Sequence, residues 1–524
     1  MMLTLTPIIF DSHVAILPML SALVAGVGSL ILRRRPSAQK AVALLGGVAV
    51  FVSSLVVADA ARSRTLVYRL GDWKPPFGIV LEIDALSGFM MAFSSFVMLV
   101  ALIYSLDSIP AEGRRRSYYA LWHFLGLGIM GAYSTGDIFN LFVWFEVLLM
   151  SSYILVVFYS NPDDTRAGLH YVIINLIGSA VMLLAIGGIY SSVGTLNMAH
   201  IAQRLSTGTH TPAVYGLSGI LLTVFLLKAG AVPLHFWVPE VYPASPSPVA
   251  AVLAGVVKKV GVYAVIRLYV TVFAPLNDFF FPVILVVSLA SVVYGGWAAL
   301  SRDSLLDVLS YSSVAQVGFI FLGVSVGLSD APADLRVLGV TAALVYSLNH
   351  SLIKSLLFLV AGYISDETGT TNFAELGGIF ETNRVLSYSF LVGGLALIGI
   401  PPLSGFFGKL LVLDSGVSLT QYTDVVPVYV PVSVVGGALV GSILTVLYIS
   451  RTWSSAFWGE KGDSVGTLGK PSLRIILPVV VLALSVLIAG IVFDPVLSYA
   501  QNAAHAAVDS QTYIDAALNG GVSK

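Results

Sequence analysis

The chain has 524 residues, 57% of them hydrophobic and 10% charged, with 27 Lys plus Arg against 28 Asp plus Glu. Soluble chains carry about 25% charged residues, so this composition, with a mean hydropathy of +0.90, predicts an all-α integral membrane protein. The near-neutral balance without a basic tail excludes nucleic-acid binding. The absence of cysteine excludes disulfides and cysteine-ligated zinc or iron–sulfur centres. Eight histidines show no ligand spacing, so no metal, cofactor or redox centre is expected.

The first apolar run, near 8–32, has no basic stretch before it and is long enough to span, which reads as a membrane helix and not a cleaved signal. Arg33, Arg34 and Arg35 close it. Further spans are predicted near 41–61, 85–106, 117–133, 138–159, 168–192 and 214–238, then 248–274, 280–300, 304–327, 337–363, 386–413, 427–455 and 473–496. That makes about fourteen. Between the second and third, 62–84 reads as a short extended hairpin; the last 25 residues read as a short surface helix. Alternating the loops places Lys40, Arg114, Arg115, Arg116, Arg166, Arg302, Arg384, Arg451, Lys461, Lys470 and Arg474 on one side. Arg62, Arg64, Arg69, Lys74, Arg204 and Arg336 fall on the other. The excess marks the inner side, so both termini are expected outside.

Two spans are interrupted alike. Gly230-Ala-Val-Pro-Leu234 in the seventh is echoed by Gly399-Ile-Pro-Pro-Leu403 in the twelfth, each followed by paired aromatics. An offset of five spans is odd, so the two copies cross the membrane in opposite directions. This is the pattern of inverted repeats with broken helices near an ion path.

Ionisable residues at helix depth carry the chemistry, because each charge at the bilayer centre costs about 2.5–3.5 kcal/mol on insertion scales. They are Glu146, Lys228, Lys259, His350, Lys354 and Lys409. Glu146 needs a cation to stay ionised, and Lys228, two residues before the first break, is its expected ion-pair partner; a purely structural pair is the plain alternative. Lys258 and Lys259 are about 100° apart. Lys259 shares its stripe with Gly255 and Tyr263 and is the expected carrier, while Lys258 is expected at a subunit contact or snorkelling. His350 and Lys354 stack four apart as a two-step relay in a turn made polar by Ser347, Asn349, Ser351 and Ser355. The plain alternative is a core histidine bonded to a carbonyl. Lys409 is expected as an exit site, with surface snorkelling as its alternative. Ser310, Ser312, Ser313 and Gln316 are expected to support water wires, and His235 and Glu240 to line an inner access or to connect helices.

These residues and their surroundings resemble the antiporter-like family shared by Mrp-type cation/proton antiporters and the proton-pumping subunits of respiratory complex I. The stretches Thr135-Gly-Asp-Ile-Phe-Asn-Leu-Phe-Val-Trp-Phe-Glu146, His235-Phe-Trp-Val-Pro239, Lys259-Val-Gly-Val-Tyr-Ala-Val-Ile-Arg267 and Asn349-His350-Ser-Leu-Ile-Lys354 carry the likeness. It covers roughly 75–415 and looks most like the family's D-type branch. Lysine at 409 differs from the glutamate of one complex I branch, and Lys258 lies outside the family pattern.

The resemblance implies a single polytopic domain over 1–524. Three leading helices (1–106) precede two inverted five-helix repeats (117–274 and 280–455), and a last helix and tail follow (473–524). It also implies a bacterial cell-membrane subunit of a secondary antiporter that works with partner subunits and exchanges protons for sodium, and in some members potassium or lithium. No enzyme activity of its own is implied. With only one carboxylate deep in the spans, the exchanged cation is expected to bind elsewhere. Two rival readings stand: a non-redox subunit of a redox-driven proton pump, and a scaffold without transport.

Overall fold

The computed structural model describes residues 13–110, 117–158, 162–208 and 211–519. Residues 8–12 of the first expected span and Arg114, Arg115 and Arg116 lie outside them. Lipid offers the backbone no hydrogen bonds, so an apolar chain must satisfy itself within helices. In chain order these are α1 (Leu17–Ile31), α2 (Pro36–Ala61), α3 (Ala85–Ser108), α4 (Tyr118–Ser134), α5 (Ile138–Val156), α6 (Pro162–Val193) and α7 (Met198–Ser206). Then come α8 (Pro212–Ala229), α9 (Trp237–Ala244), α10 (Ser247–Val272), α11 (Asn277–Leu300), α12 (Leu305–Leu328) and α13 (Ala333–Thr368). The chain closes with α14 (Arg384–Ile398), α15 (Ser404–Ser418), α16 (Tyr429–Thr452), α17 (Leu473–Ile491), α18 (Asp494–Val508) and α19 (Ser510–Asn519).

Among the described residues, 11 helices are long and apolar enough to cross a membrane. Three expected spans fall short by that measure: α1 has 15 residues, α4 has 17, and the twelfth is divided into α14 and α15 of 15 each. Length and composition therefore do not by themselves reach fourteen.

The burial pattern sorts the helices. The α10 span is wholly buried, α12 and α13 nearly so, and α2, α6 and α17 mostly turn outward. Leu45, Leu184, Val432 and Ile488 sit on the exposed perimeter, where lipid makes apolar side chains cost nothing. Within α10, π turns at Leu253–Val257 and Ile266–Val272 flank an α-helical centre, Lys258–Val265. Such widened turns free backbone groups and recur at functional sites.

The hairpin expected over 62–84 is present. β1 (Leu66–Arg69) pairs antiparallel with β2 (Val80–Ile83), Leu66 opposite Ile83. Single bridges join Leu81 to Thr135 and Asp137 to Asn197, so the hairpin, the turn before α5 and the start of α7 form one cap. The C-terminal segment departs from expectation. It is two helices, and their small inner residues Ala500, Ala503, Ala504 and Ala507, with Tyr513, are buried. Alanine lets α18 lie close to its neighbours, tied by Thr271 Oγ1 donating to the Ala507 carbonyl (2.8 Å) and Tyr499 donating to the Ala58 carbonyl (2.6 Å).

Both interrupted spans break where glycine permits a left-handed residue. Gly230 (φ 67°) ends α8 and Gly399 (φ 96°) ends α14. In each case the next amide reaches back five residues, Ala231 N to the Leu226 carbonyl and Ile400 N to the Leu395 carbonyl, both at 3.0 Å. This closes orphan carbonyls as helix C-caps do.

Candidate functional site

The lysines are inside. Lys258, Lys259 and Lys354 are fully buried, His350 is 1% exposed, Lys228 5% and Lys409 6%. None faces the lipid perimeter, and none has a carboxylate within ion-pair distance among the described residues. The amines are satisfied instead by hydroxyls, amides and carbonyls.

At the first break the expected direct pair is replaced by a bridge. Glu146 sits half-buried on the outer flank of α5, and Ser179 Oγ donates to its carboxylate. The Lys228 amine donates to the same Ser179 hydroxyl at 3.4 Å and to Asn175 Oδ1 at 3.2 Å. The Lys228 amine also lies 5.9 Å from the centre of the Phe145 ring next to Glu146 on α5, so the two charged groups are neighbours that meet through Ser179. Ser179 and Asn175, four apart in an otherwise apolar run, are the sequence signal for that bridge.

Lys258 departs furthest from expectation. It neither snorkels nor meets the perimeter, because α10 has no exposed face. Its amine donates to both the carbonyl and hydroxyl of Ser313, each at 3.1 Å, and lies beside the first break, 3.6 Å from where a Gly230 side chain would begin. Lys259, one residue on, turns the other way. It donates to the Ala254 carbonyl in the widened turn at 2.8 Å and contacts His350 Nδ1.

His350 and Lys354 share a face of α13, as their spacing required, but reach different neighbours. Lys354 donates to the Leu309 carbonyl (2.9 Å) and to Ser312 Oγ (2.8 Å) on α12. From Ser312 the hydrogen bonds continue. Its hydroxyl donates to Tyr448 (2.8 Å), Gln316 Nε2 also donates to that phenol (3.0 Å), and Tyr346 donates to Gln316 Oε1. Tyr448 and Tyr346 give no signal in sequence, since tyrosines are common on buried faces. Ser310 only bonds its own helix, through the Leu306 carbonyl.

His350 Nε2 has no hydrogen-bond partner among the described residues. His350 borders a cavity of about 10 Å³ lined also by Gln316, Tyr346, Asn349, Ala396 and Gly405. That is about the room one water needs, and the lining offers polar partners. The cavity touches the second break, where Asn349 Nδ2 donates to the Ser404 carbonyl at 2.7 Å. Lys409 folds back and donates to the Ile398 carbonyl at 3.0 Å, its amine 5.1 Å from the centre of the Phe319 ring. The snorkelling alternative for Lys409 does not hold in this fold. Glu240 pairs with His170 at 2.9 Å on the surface, tying α9 to α6, and His235 packs on the Tyr294 ring. That pair connects helices.

A buried file of amines in a bundle with two broken helices defines a membrane-embedded ion-transport subunit. The family model described as NADH:quinone oxidoreductase/Mrp antiporter, TM matches residues 135–434, and the chain belongs to that family. It is 31% identical over 97% of its length to the D-type Na(+)/H(+) antiporter subunit of Alkalihalophilus pseudofirmus, covering 99% of that protein. It is 30% identical over 90% of its length to the like-named protein of Bacillus subtilis, covering 92%. Among solved structures, a chain of the Mrp complex from Dietzia sp. superposes with a TM-score of 0.86 at 25% identity, over 97% of this chain and 99% of that one. A chain of respiratory complex I from Thermus thermophilus shares the fold at TM-score 0.77 and 21% identity, over 94% of this chain and 99% of that one.

Proposed function

We propose that this chain is the proton-translocating subunit of a multisubunit sodium/proton antiporter in a bacterial cell membrane. The observation that carries this reading is the row of buried amines and one imidazole with no carboxylate in contact among the described residues. Two like charges at about 4 Å repel by about 4 kcal/mol at an effective dielectric of 20, so Lys259 and His350 do not both hold a proton. Mutual exclusion of that kind turns a static cluster into a hand-off.

The proton path has three parts. Glu146 and Lys228, bridged by Ser179, set the affinity at the first break. Lys258, Lys259, His350 and Lys354 carry charge laterally along α10, α12 and α13. Lys409 passes it on at the second break. A membrane potential supplies about 2.3 kcal/mol per charge per 100 mV, the same order as the repulsion it must overcome. The similar end-caps at Gly230 and Gly399 support two inverted repeats within fourteen spans, and the loop-charge excess supports both termini outside. The names of the similar proteins support protons and sodium as the exchanged ions and further subunits as partners. Neither a resident cofactor nor a catalytic reaction is part of this reading.

The test is sodium-dependent proton movement, followed with a pH-sensitive dye in everted vesicles carrying the whole assembly. Lys259→Ala is expected to abolish exchange while the assembly forms. Full exchange in that variant would leave this chain a scaffold.

A further inference from the structure

A second cluster of buried polar groups lies between the lysine seam and the hairpin end of the molecule. Lys259 and Tyr263 are one α-helical turn apart on the centre of α10, a rise of about 6 Å. The Tyr263 hydroxyl lies 3.0 Å from Ser87 Oγ and donates to the Tyr133 carbonyl at 3.1 Å. Arg267, further along α10, reaches Tyr263 through Nε at 3.4 Å and Ser87 through Nη2 at 3.4 Å. Its Nη2 is 2.6 Å from Asp84 Oδ1. Asp84 also caps α3 by accepting from Ser87 N at 3.0 Å.

Beyond this ion pair, under the β-hairpin, lies Glu82. It is 1% exposed, and neither carboxylate oxygen has a completed hydrogen bond among the described residues. Three groups act on it: Arg267 of α10, Asp84 at the end of its own strand, and the phenol of Tyr513 in α19, which approaches without closing a bond. The turn before α5 covers it as well, because a side chain at Gly136 would begin 3.0 Å from Glu82 Oε2.

The charges in this pocket do not cancel. Two carboxyls share one guanidinium, whose Nη2 is held by Asp84 while its Nη1 completes no hydrogen bond among the described residues. A buried, uncompensated carboxylate is strongly disfavoured, so the pocket balances only when Glu82 carries a proton. Burial accordingly pushes its carboxyl well above the usual range, with Arg267 pulling the other way and Asp84 adding to the rise.

We infer that Glu82 is a proton-loading site at the hairpin end, supplying Lys259 through the Ser87–Tyr263 hydroxyl pair, with the Asp84–Arg267 ion pair as the barrier against free leakage. A fixed guanidinium beside the path repels a passing proton, as arginines do in pores that exclude cations. Transfer therefore requires the pair to lean away from Tyr263. The proton leaves the Glu82 carboxyl as its negative charge is taken up by Arg267, and Lys259 gains the proton. On the way the Ser87 and Tyr263 hydroxyls each accept one proton and give up another, so both end as they began. This rests on the lysine relay proposed above.

The experiment uses the whole assembly in proteoliposomes, with sodium-driven proton movement measured while pH on the hairpin side is varied. Loading is lost once that pH rises through the raised Glu82 value, so the wild-type rate is expected to fall on the alkaline side. Glu82→Gln, which imitates the loaded state but cannot release its proton, is expected to slow exchange by about 100-fold, the low end of general acid–base effects. It should also erase the alkaline fall. Glu82→Asp should recover part of the rate with the fall displaced along the pH axis. An unchanged rate and profile in Glu82→Gln overturns the inference, as does recovery by extra sodium, which would mark a cation site. So does a Glu82→Asp variant that is slower with its fall undisplaced. If Glu82→Gln does not assemble, Tyr263→Phe, which keeps the ring, decides: a normal rate there overturns the path. Loss of exchange in Lys259→Ala with both these variants normal sinks this site alone. Retained exchange in Lys259→Ala sinks the relay itself.

Discussion

The two broken helices solve the same backbone problem with different chemistry. At the first break Trp237, just past the interruption, donates its indole N–H to the Leu227 carbonyl at 2.9 Å. At the second, Lys409 does this for the Ile398 carbonyl at 3.0 Å. A neutral ring closes one half-helix and a titratable amine closes the other. Because the indole takes the structural task, Lys228 is free to face Asn175 and Ser179 and, through them, Glu146. Lys409 has no such freedom. In the proposed path the first break is the switch that answers to a carboxylate, and the second joins fold and function in one side chain.

That contrast is easiest to break at the lysines. Lys228→Ala is expected to lower exchange at least about 100-fold with normal assembly, read from the amount of intact complex in detergent. Lys409→Ala should lose exchange and also weaken the complex by about 1–3 kcal/mol, since a buried carbonyl is left without its donor. Equal assembly of the two variants would contradict the division of labour.

Next in size are the glycines. Gly399→Ala places a side chain in a left-handed conformation at about 1–2 kcal/mol and 3.1 Å from Lys409 Cδ. It should reduce thermal stability and exchange together. Gly230→Ala meets Val238 Cγ2 at 2.6 Å and should cost at least as much stability, while leaving the Lys228 bridge to α6 in place. Ser179→Ala removes only the bridge between Glu146 and Lys228. A fall of about tenfold in exchange is expected, less than the roughly 100-fold or more that a group transferring the proton itself contributes, because Ser179 only bridges. An unchanged rate would mean that the carboxylate and the amine work apart. Smallest is Trp237→Phe, which deletes one neutral hydrogen bond worth about 1 kcal/mol. It should lower the melting temperature slightly and leave exchange per assembled complex intact.

Much of this is legible along the chain. The polarity of Asn349 to Ser355 marks a polar face of α13, and the Gly-x-x-Pro-Leu pairs mark both breaks. The hairpin is visible as a polar, proline-rich interval between apolar runs. Three expectations fail for related reasons. Lys258 is expected at a subunit contact or snorkelling, which a helix buried on all sides does not allow; Glu146 and Lys228 meet through Ser179 and not directly; and the tail is expected to lie on the surface as one short helix. Glu82 and Asp84 draw no attention in the sequence, because charges in a hairpin or at a helix cap are ordinary until something covers them.

Sequence alone determined the solvent of this protein, the helices that solvent compels, and which titratable groups sit at hydrocarbon depth, because apolar length and the cost of a buried charge act on each segment by itself. Tertiary structure decided what each amine touches. A helical period says which way a side chain leaves its helix but not which neighbour stands there, and in a helix buried on all sides every direction is occupied. Lys258 and Lys259 part toward Ser313 and His350 for that reason, and Glu82 is buried only because α10, α19 and the turn before α5 close over it.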